Sequence, residues 1–86
     1  MNDRDRLYEH LAATAERPVE RTASHWLGEA EAIARDLARS DLGREVRRER
    51  LATVASLLSE VEETGDPVAD DHLDRAQSLV TALLAE

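Results

Sequence analysis

The chain has 86 residues and a net charge of −8, with 19 acidic side chains against 11 basic ones. It contains no Cys, which excludes disulfides, thiolate nucleophiles and Cys-based metal sites. Neither an apolar run of membrane-spanning length nor a charged-then-apolar leader is present, so we expect one cytoplasmic domain over residues 1–86 that does not contact a membrane.

Apolar residues at helical spacing predict helices throughout and no strand. The first helix is expected to start at a cap on Asn2 or Asp3 and to end near Glu16. The second helix is expected over residues 18–39, with Pro18 in its first turn. Its buried stripe is predicted to contain Val19, Ala23, Trp26, Ala30, Ile33 and Leu37.

A third helix is expected after a break at residues 40–43, with Ser40 or Asp41 as its cap and an end near Glu63. Its apolar residues, all predicted to face the core, are Val46, Leu51, Val54, Leu57, Leu58 and Val61.

The clearest local signal is the sequence Thr-Gly-Asp-Pro at residues 64–67. Gly65 suits the left-handed residue after a helix, Asp66 suits a cap, and Pro67 suits the first turn of a fourth helix. The predicted buried stripe of that helix is Leu73, Ala76, Val80, Leu83 and Leu84. We therefore predict an all-α fold, a small antiparallel bundle of three long helices plus a shorter N-terminal helix.

All basic residues are Arg, although Lys is normally among the commonest residues. A surface of short, hydrated carboxylates without apolar lysine stems is what a protein needs in concentrated salt, where charge repulsion is screened within about 3 Å. A genome of high G+C content would also favour Arg, but it would not explain the acidic excess. We predict adaptation to high salt. In composition, the chain resembles small acidic helical proteins of haloarchaea, a resemblance that includes no motif and transfers no site.

Arg44, Arg47 and Arg48 are spaced i, i+3 and i+4, so they share one helix face and form a candidate anion-binding site. Three interpretations are open. The face is solvated and neutralised by Glu45 and Glu49, or it meets an acidic surface of another copy or another protein, or it binds phosphate or nucleic acid. Nucleic acid is the weakest partner, because the chain is acidic and salt weakens such contacts.

The second helix carries small residues at four-residue spacing, namely Ser24, Gly28 and Ala32, close to Trp26. A glycine inside a helix costs about 1 kcal/mol relative to Ala, which suggests that another group comes close to Gly28. That group belongs to the same chain or to a second copy. Because a core built from 14 Ala and 12 Leu is thin, we predict a homodimer with these four residues as the candidate interface.

No catalytic, metal or cofactor site is predicted. His10, His25 and His72 fall on three different helices without a metal-ligand spacing, and no serine lies in a nucleophile motif. Nothing indicates a small-molecule substrate. The sequence therefore favours a non-catalytic helical interaction module that self-associates. The alternative is phosphate or nucleic-acid binding through the arginine face.

If the composition reflects salt adaptation, the melting temperature should rise substantially between ~0.1 and ~2 M KCl, which thermal denaturation by circular dichroism measures. In an acidic protein without this adaptation, the gain should level off within a few hundred millimolar, where charge repulsion is already screened. Equal or lower stability in high salt would contradict the prediction.

Overall fold

A computed structural model describes all residues 1–86 and contains four helices and no strand. The helices are α1 (Asp3–Thr14), α2 (Arg21–Arg39), α3 (Arg44–Ser59) and α4 (Pro67–Leu84). With 12 residues, α1 is shorter than the other three, which have 19, 16 and 18. The predicted fold class, three long helices and a shorter N-terminal one, is confirmed. None of the four is long and apolar enough to cross a membrane.

The helices form a closed ring in which α1 packs against α2 and α4, and α3 packs against the same two. The diagonal pairs, α1 with α3 and α2 with α4, do not pack against each other. Short loops join helices that are neighbours in the ring, so consecutive helices run antiparallel. The molecule measures 35 × 23 × 19 Å. The N-termini of α1 and α3 therefore lie at one end with the C-termini of α2 and α4, and the other four termini lie at the opposite end.

The core is one cluster of 14 buried residues, and all of them are Leu, Val or Ala. Small side chains on α2 let its neighbours approach closely. Half-buried residues, including Tyr8 and Trp26, cover the edges of this cluster. The cluster consists of Leu7, Leu11, Ala23, Leu27, Ala30, Ala34, Leu37, Leu51, Val54, Leu58, Val61, Leu73, Ala76 and Val80.

The buried stripes differ from the prediction at several positions. On α2, Leu27 and Ala34 are buried, whereas Trp26 and Ile33 lie half-buried at the edge of the core. Leu83 and Leu84 are likewise only half-buried. Val46 is 38% exposed because it lies in the first turn of α3, at the end of the bundle. Leu57 is also only half-buried, and Val19 lies before the start of α2 and is half-buried. The other predicted core positions in the central turns of α3 and α4 are buried as expected.

Helix ends are where the sequence prediction is least accurate. α2 begins at Arg21 rather than at residue 18, since the backbone of Glu20 is extended and its N–H donates to the carbonyl of Thr64 at 2.8 Å. α3 begins after Gly43, so the predicted caps Ser40 and Asp41 are wrong.

At its C-terminal end α3 stops at Ser59, short of the predicted Glu63, and the chain then turns so that Val61 joins the core. α1 likewise ends at Thr14, before the predicted Glu16.

The turn before α4 follows the sequence prediction closely. Gly65 has a φ of +85°, a conformation that L side chains rarely adopt, and Pro67 is the first residue of α4. The carboxylate of Asp66 caps the helix by accepting from the backbone N–H of Ala69 at 3.0 Å.

The same carboxylate binds Arg17 of the α1–α2 loop, whose Nε and Nη2 donate to it at 2.9 and 3.1 Å. These two bonds, followed by the bond from the N–H of Ala69, hold the pKa of Asp66 below its ordinary value. Asp66 thus fixes the start of α4 and joins the two loops at this end of the bundle.

Thr64 completes this connection from a fully buried position. Its hydroxyl lies 2.8 Å from Oδ1 of Asp70, to which it donates, and it accepts from the N–H of Asp66 at 3.2 Å. Its backbone N–H also donates to Asp70 Oδ1, at 2.7 Å. With its carbonyl bound to Glu20, Thr64 satisfies polar groups from three segments of the chain.

Replacing Thr64 by Val should lower the free energy of unfolding by about 1–3 kcal/mol, because Val keeps the shape but leaves buried polar groups without their partner. Chemical denaturation measures this loss. The matched control is Thr53→Val, at an exposed position where the hydroxyl bonds only to Glu49 O within α3, and we expect a change within about 0.5 kcal/mol. Equal effects of the two substitutions would contradict the role of Thr64.

Candidate functional site

A cleft of about 360 Å³ opens at the end of the bundle that holds the N-termini of α1 and α3. We call it the basic cleft, because four of the seven residues that line it are arginines. Its lining consists of Arg4, Arg44, Arg47, Arg48, Leu51, Leu83 and Glu86. The three arginines predicted from the sequence as an anion site therefore face one concave surface, and the structure adds Arg4 to them.

None of the four cleft arginines forms an ion pair with an acidic side chain, although the protein has 19 acidic residues. The four arginines that do form such pairs, Arg6, Arg17, Arg35 and Arg75, lie elsewhere. The cleft thus gathers positive charge that the protein leaves without a carboxylate partner.

Two of the cleft arginines have contacts that explain part of their position. Nη1 of Arg48 donates to the carbonyl of Leu84 at 3.0 Å, in the last turn of α4, and Nη1 of Arg4 lies 3.5 Å from the carbonyl of Leu37 near the end of α2. Helix C-termini carry unpaired carbonyls and partial negative charge, which a cation stabilises. α4 has no basic residue in its own last turn, and Arg48 of α3 supplies one.

Arg44 and Arg47 make no such contact, and they lie beside the first turn of α3. This helix begins at Gly43 without a side-chain cap, so its first N–H groups have no acceptor from a capping side chain. Guanidinium groups and free backbone N–H groups both bind oxyanions. The arrangement can hold a carboxylate or a phosphate, and the half-buried Leu83 provides apolar contact next to it.

Comparison with known proteins gives one result. The model of a family described as Domain of unknown function (DUF8152) matches residues 3–86. The chain belongs to this family. No curated protein and no solved structure matches the chain.

The second candidate site of this DUF8152 domain is the surface of α2. Ser24, Gly28 and Ala32 are all exposed on one side of the helix, and a Cβ built on Gly28 would meet no atom within 4 Å. The group expected to approach Gly28 is therefore absent from the chain itself. Trp26 lies on the opposite side of α2, half-buried, with its ring 5.0 Å from that of His25. The structure does not bring the four predicted interface residues together on one surface.

An acidic cleft of about 370 Å³ lies at the opposite end of the bundle. The glutamates that line it are Glu20, Glu60, Glu62 and Glu63. The two clefts are therefore lined by side chains of opposite charge, arginines in one and glutamates in the other.

The histidines do not lie as far apart as their sequence positions suggest. His10 of α1 and His72 of α4 meet across the helix interface, with their Nδ1 atoms 2.9 Å apart. His25 is exposed on α2. Sequence reasoning missed this pair because the residues are far apart in the chain, although each is close in sequence to a buried leucine, Leu7 or Leu73. No group of three or more potential metal ligands occurs.

If α2 forms the predicted homodimer, light scattering in high salt should give a mass near twice 9.6 kDa, and Gly28→Leu should reduce it to the monomer. The space above Gly28 is open and Leu favours helix more than Gly does, so the monomer should tolerate the change. Ala52→Leu, at an exposed position of α3, is the control for an added apolar side chain. A monomeric wild type at ~100 μM, or an unchanged mass for Gly28→Leu, would contradict a dimer through α2.

Proposed function

We propose that this DUF8152 domain is a non-catalytic interaction module and that the basic cleft is its contact surface for an acidic partner. The observation that carries this proposal is the convergence of four arginines, none paired with a carboxylate, in a chain of net charge −8. A partner's carboxylates would replace water around these groups and form charge-assisted, bidentate hydrogen bonds. Opposite charge at the surface would also orient the partner on approach.

The residue types in the cleft support the non-catalytic part of the proposal. Arginine stays protonated at every physiological pH, so it does not serve as a general base. The remaining lining residues are two leucines and the terminal Glu86. This composition suits binding and orientation of an anionic group better than proton transfer or nucleophilic attack.

Self-association is part of the proposed function. A second copy offers an acidic surface of the kind the cleft would bind, and the open row of small residues on α2 would allow a second helix to approach closely. The small core also favours association, because burial at an interface adds to the stability of a short chain. We therefore propose a homodimer or a complex with another acidic protein.

We further propose that the domain works in concentrated salt, in the cytoplasm of a cell of haloarchaeal type. The support is compositional, namely the absence of lysine and the excess of carboxylates. Salt concentration also affects the affinity for the two classes of partner differently. A contact that neutralises about three phosphates loses a factor of roughly 400 to 8,000 in affinity between ~0.1 and ~2 M salt. The apolar contact offered by Leu83 is not screened in this way.

Phosphate or nucleic-acid binding is the second candidate function. It is favoured by the uncapped start of α3, where free backbone N–H groups lie next to Arg44, Arg47 and Arg48. A phosphate group would accept from both sets of donors. At low salt this site would bind an oligonucleotide, whereas at ~2 M KCl we expect no measurable binding.

The test compares wild type with Arg44→Gln/Arg47→Gln, which removes two cleft charges but keeps the bond from Arg48 to Leu84. The control is Arg21→Gln/Arg50→Gln, which removes the same charge at exposed positions outside the cleft. Two labelled probes are titrated at ~0.1 and ~2 M KCl, a peptide of Glu, Asp and Leu and an RNA oligonucleotide.

We expect the acidic peptide to bind at both salt concentrations, at least tenfold more weakly to the cleft variant than to the control. RNA should bind only at low salt. Micromolar RNA binding at ~2 M KCl that is lost in the cleft variant would place the phosphate function first. Peptide binding that is equal in both variants would exclude the cleft as the contact surface.

A further inference from the structure

His10 and His72 are titratable side chains of two different helices, and they share a hydrogen bond. No other pair of this kind occurs in which neither side chain carries a permanent charge. His10 belongs to α1 and His72 to α4, and both are half-buried. Their Nδ1 atoms are 2.9 Å apart and their ring centroids 5.2 Å apart, with the ring planes tilted by 45°. This centroid separation is about as large as a 2.9 Å contact permits, so the two rings meet tip to tip.

Tip-to-tip geometry is that of an N–H···N hydrogen bond. One ring must carry its proton on Nδ1 and the other must accept with an unprotonated Nδ1. A metal ion bound by both nitrogens would need about 2.0 Å to each, and these rings point directly at each other with no room for an ion between them. The pair is therefore a hydrogen bond that exists only while at least one of the two rings is neutral.

The groups around the pair favour the neutral form of His10. Partial burial is the main cause that lowers the pKa of His10, and positive charge on His72 and Arg75 lowers it further. Asp71 and Glu9 act in the opposite direction and do not compensate. Asp71 is itself paired with Arg75 at 2.9 Å, so its charge is shared. The charged neighbours of His10 thus all lie on α1 and α4.

We propose that the His10–His72 pair makes the packing of α1 against α4 sensitive to pH. While one ring is neutral, the shared proton links the two helices. When both rings are protonated, the hydrogen bond is lost and two cations face each other across the interface. Both rings lie at the interface between α1 and α4, so the packing of these two helices against each other is what loosens on acidification.

The direction of the pH dependence follows from linkage. Because the pKa of His10 is lower in the folded protein than in the unfolded chain, the unfolded chain binds more protons as the pH falls below about 6.5. The stabilisation is complete above that pH and is lost as the pH falls through the folded-state pKa. Most carboxylates titrate near pH 4, so the interval from about pH 7.5 to 5 reports mainly on the histidines.

The first experiment measures the unfolding equilibrium constant between pH 7.5 and 5 at a fixed ~2 M KCl, where long-range charge effects are screened. For wild type we expect the constant to rise on acidification by up to tenfold per pH unit. His10→Gln should remove most of this rise, because it removes the ring whose pKa is lowered. His72→Gln should remove only the part that comes from the second cation, because partial burial and Arg75 still lower the pKa of His10. His25→Gln is the control and should keep the whole rise, since His25 is exposed on α2. A wild-type constant that does not change, or a rise that persists in His10→Gln, would overturn the proposal.

The second experiment needs no variant. Nitrogen-15 NMR of the imidazole rings should show, at pH 7.5, that one of His10 and His72 is protonated on Nδ1, whereas His25 shows the pattern of an exposed ring. Hydrogen exchange should then show faster exchange of the α1 and α4 amides at pH 5.5 than expected from the intrinsic rate, with α2 and α3 unchanged. Finding Nδ1 unprotonated in both rings at pH 7.5, or uniform protection of all helices at pH 5.5, would contradict the inference.

Discussion

The carboxylate of Asp66 is the group on which the arrangement of the bundle depends most. It caps α4 through the N–H of Ala69 and, at the same time, accepts two hydrogen bonds from Arg17 in the loop between α1 and α2. Two loops that are far apart in sequence are thereby held side by side. Thr64 strengthens this junction from a buried position, through its bonds to Asp70 and Glu20. The register of the first helix pair relative to the second is fixed at this point.

The carbonyls at two helix C-termini account for part of the positive charge in the basic cleft. In this ring the C-termini of α2 and α4 share an end, and their partial negative charge stabilises cations there. Arg48 and Arg4 meet the carbonyls of Leu84 and Leu37 for this reason. Arg44 and Arg47 make no such contact with a helix C-terminus, and our proposal is that they contact a partner.

The sequence was sufficient for the features that depend on neighbouring residues. Helical spacing gave four helices in the right order, and the sequence from Gly65 to Pro67 located the start of α4. The errors have tertiary causes. α2 starts late because the backbone of Glu20 is non-helical, with a ψ of 146°, and its N–H bonds to Thr64 in another loop, a contact that no local pattern encodes.

The same distinction applies to the candidate sites. Arg44, Arg47 and Arg48 were found because three residues of one helix share a face by spacing alone. Arg4 and the His10–His72 pair could not be found that way, because they become neighbours only when α1 packs against the rest of the bundle. A polar residue close to buried leucines, as His10 is to Leu7, was the available hint.

Residues near both chain ends, Arg4 and Glu86, line the same cleft. Any sequence fused to either end therefore begins at the rim of that cleft. Neither end offers a point of attachment for a tag that lies away from the cleft. A basic or acidic tag would alter the local charge, and a flexible one would compete with a ligand for space. A circular permutant opened in the loop 40–43 would leave the new ends at this rim too, whereas one opened between the exposed Glu62 and Glu63 would move them to the acidic end and keep the loop that carries Arg17 intact. Permutation thus offers a way to attach probes without covering the arginines.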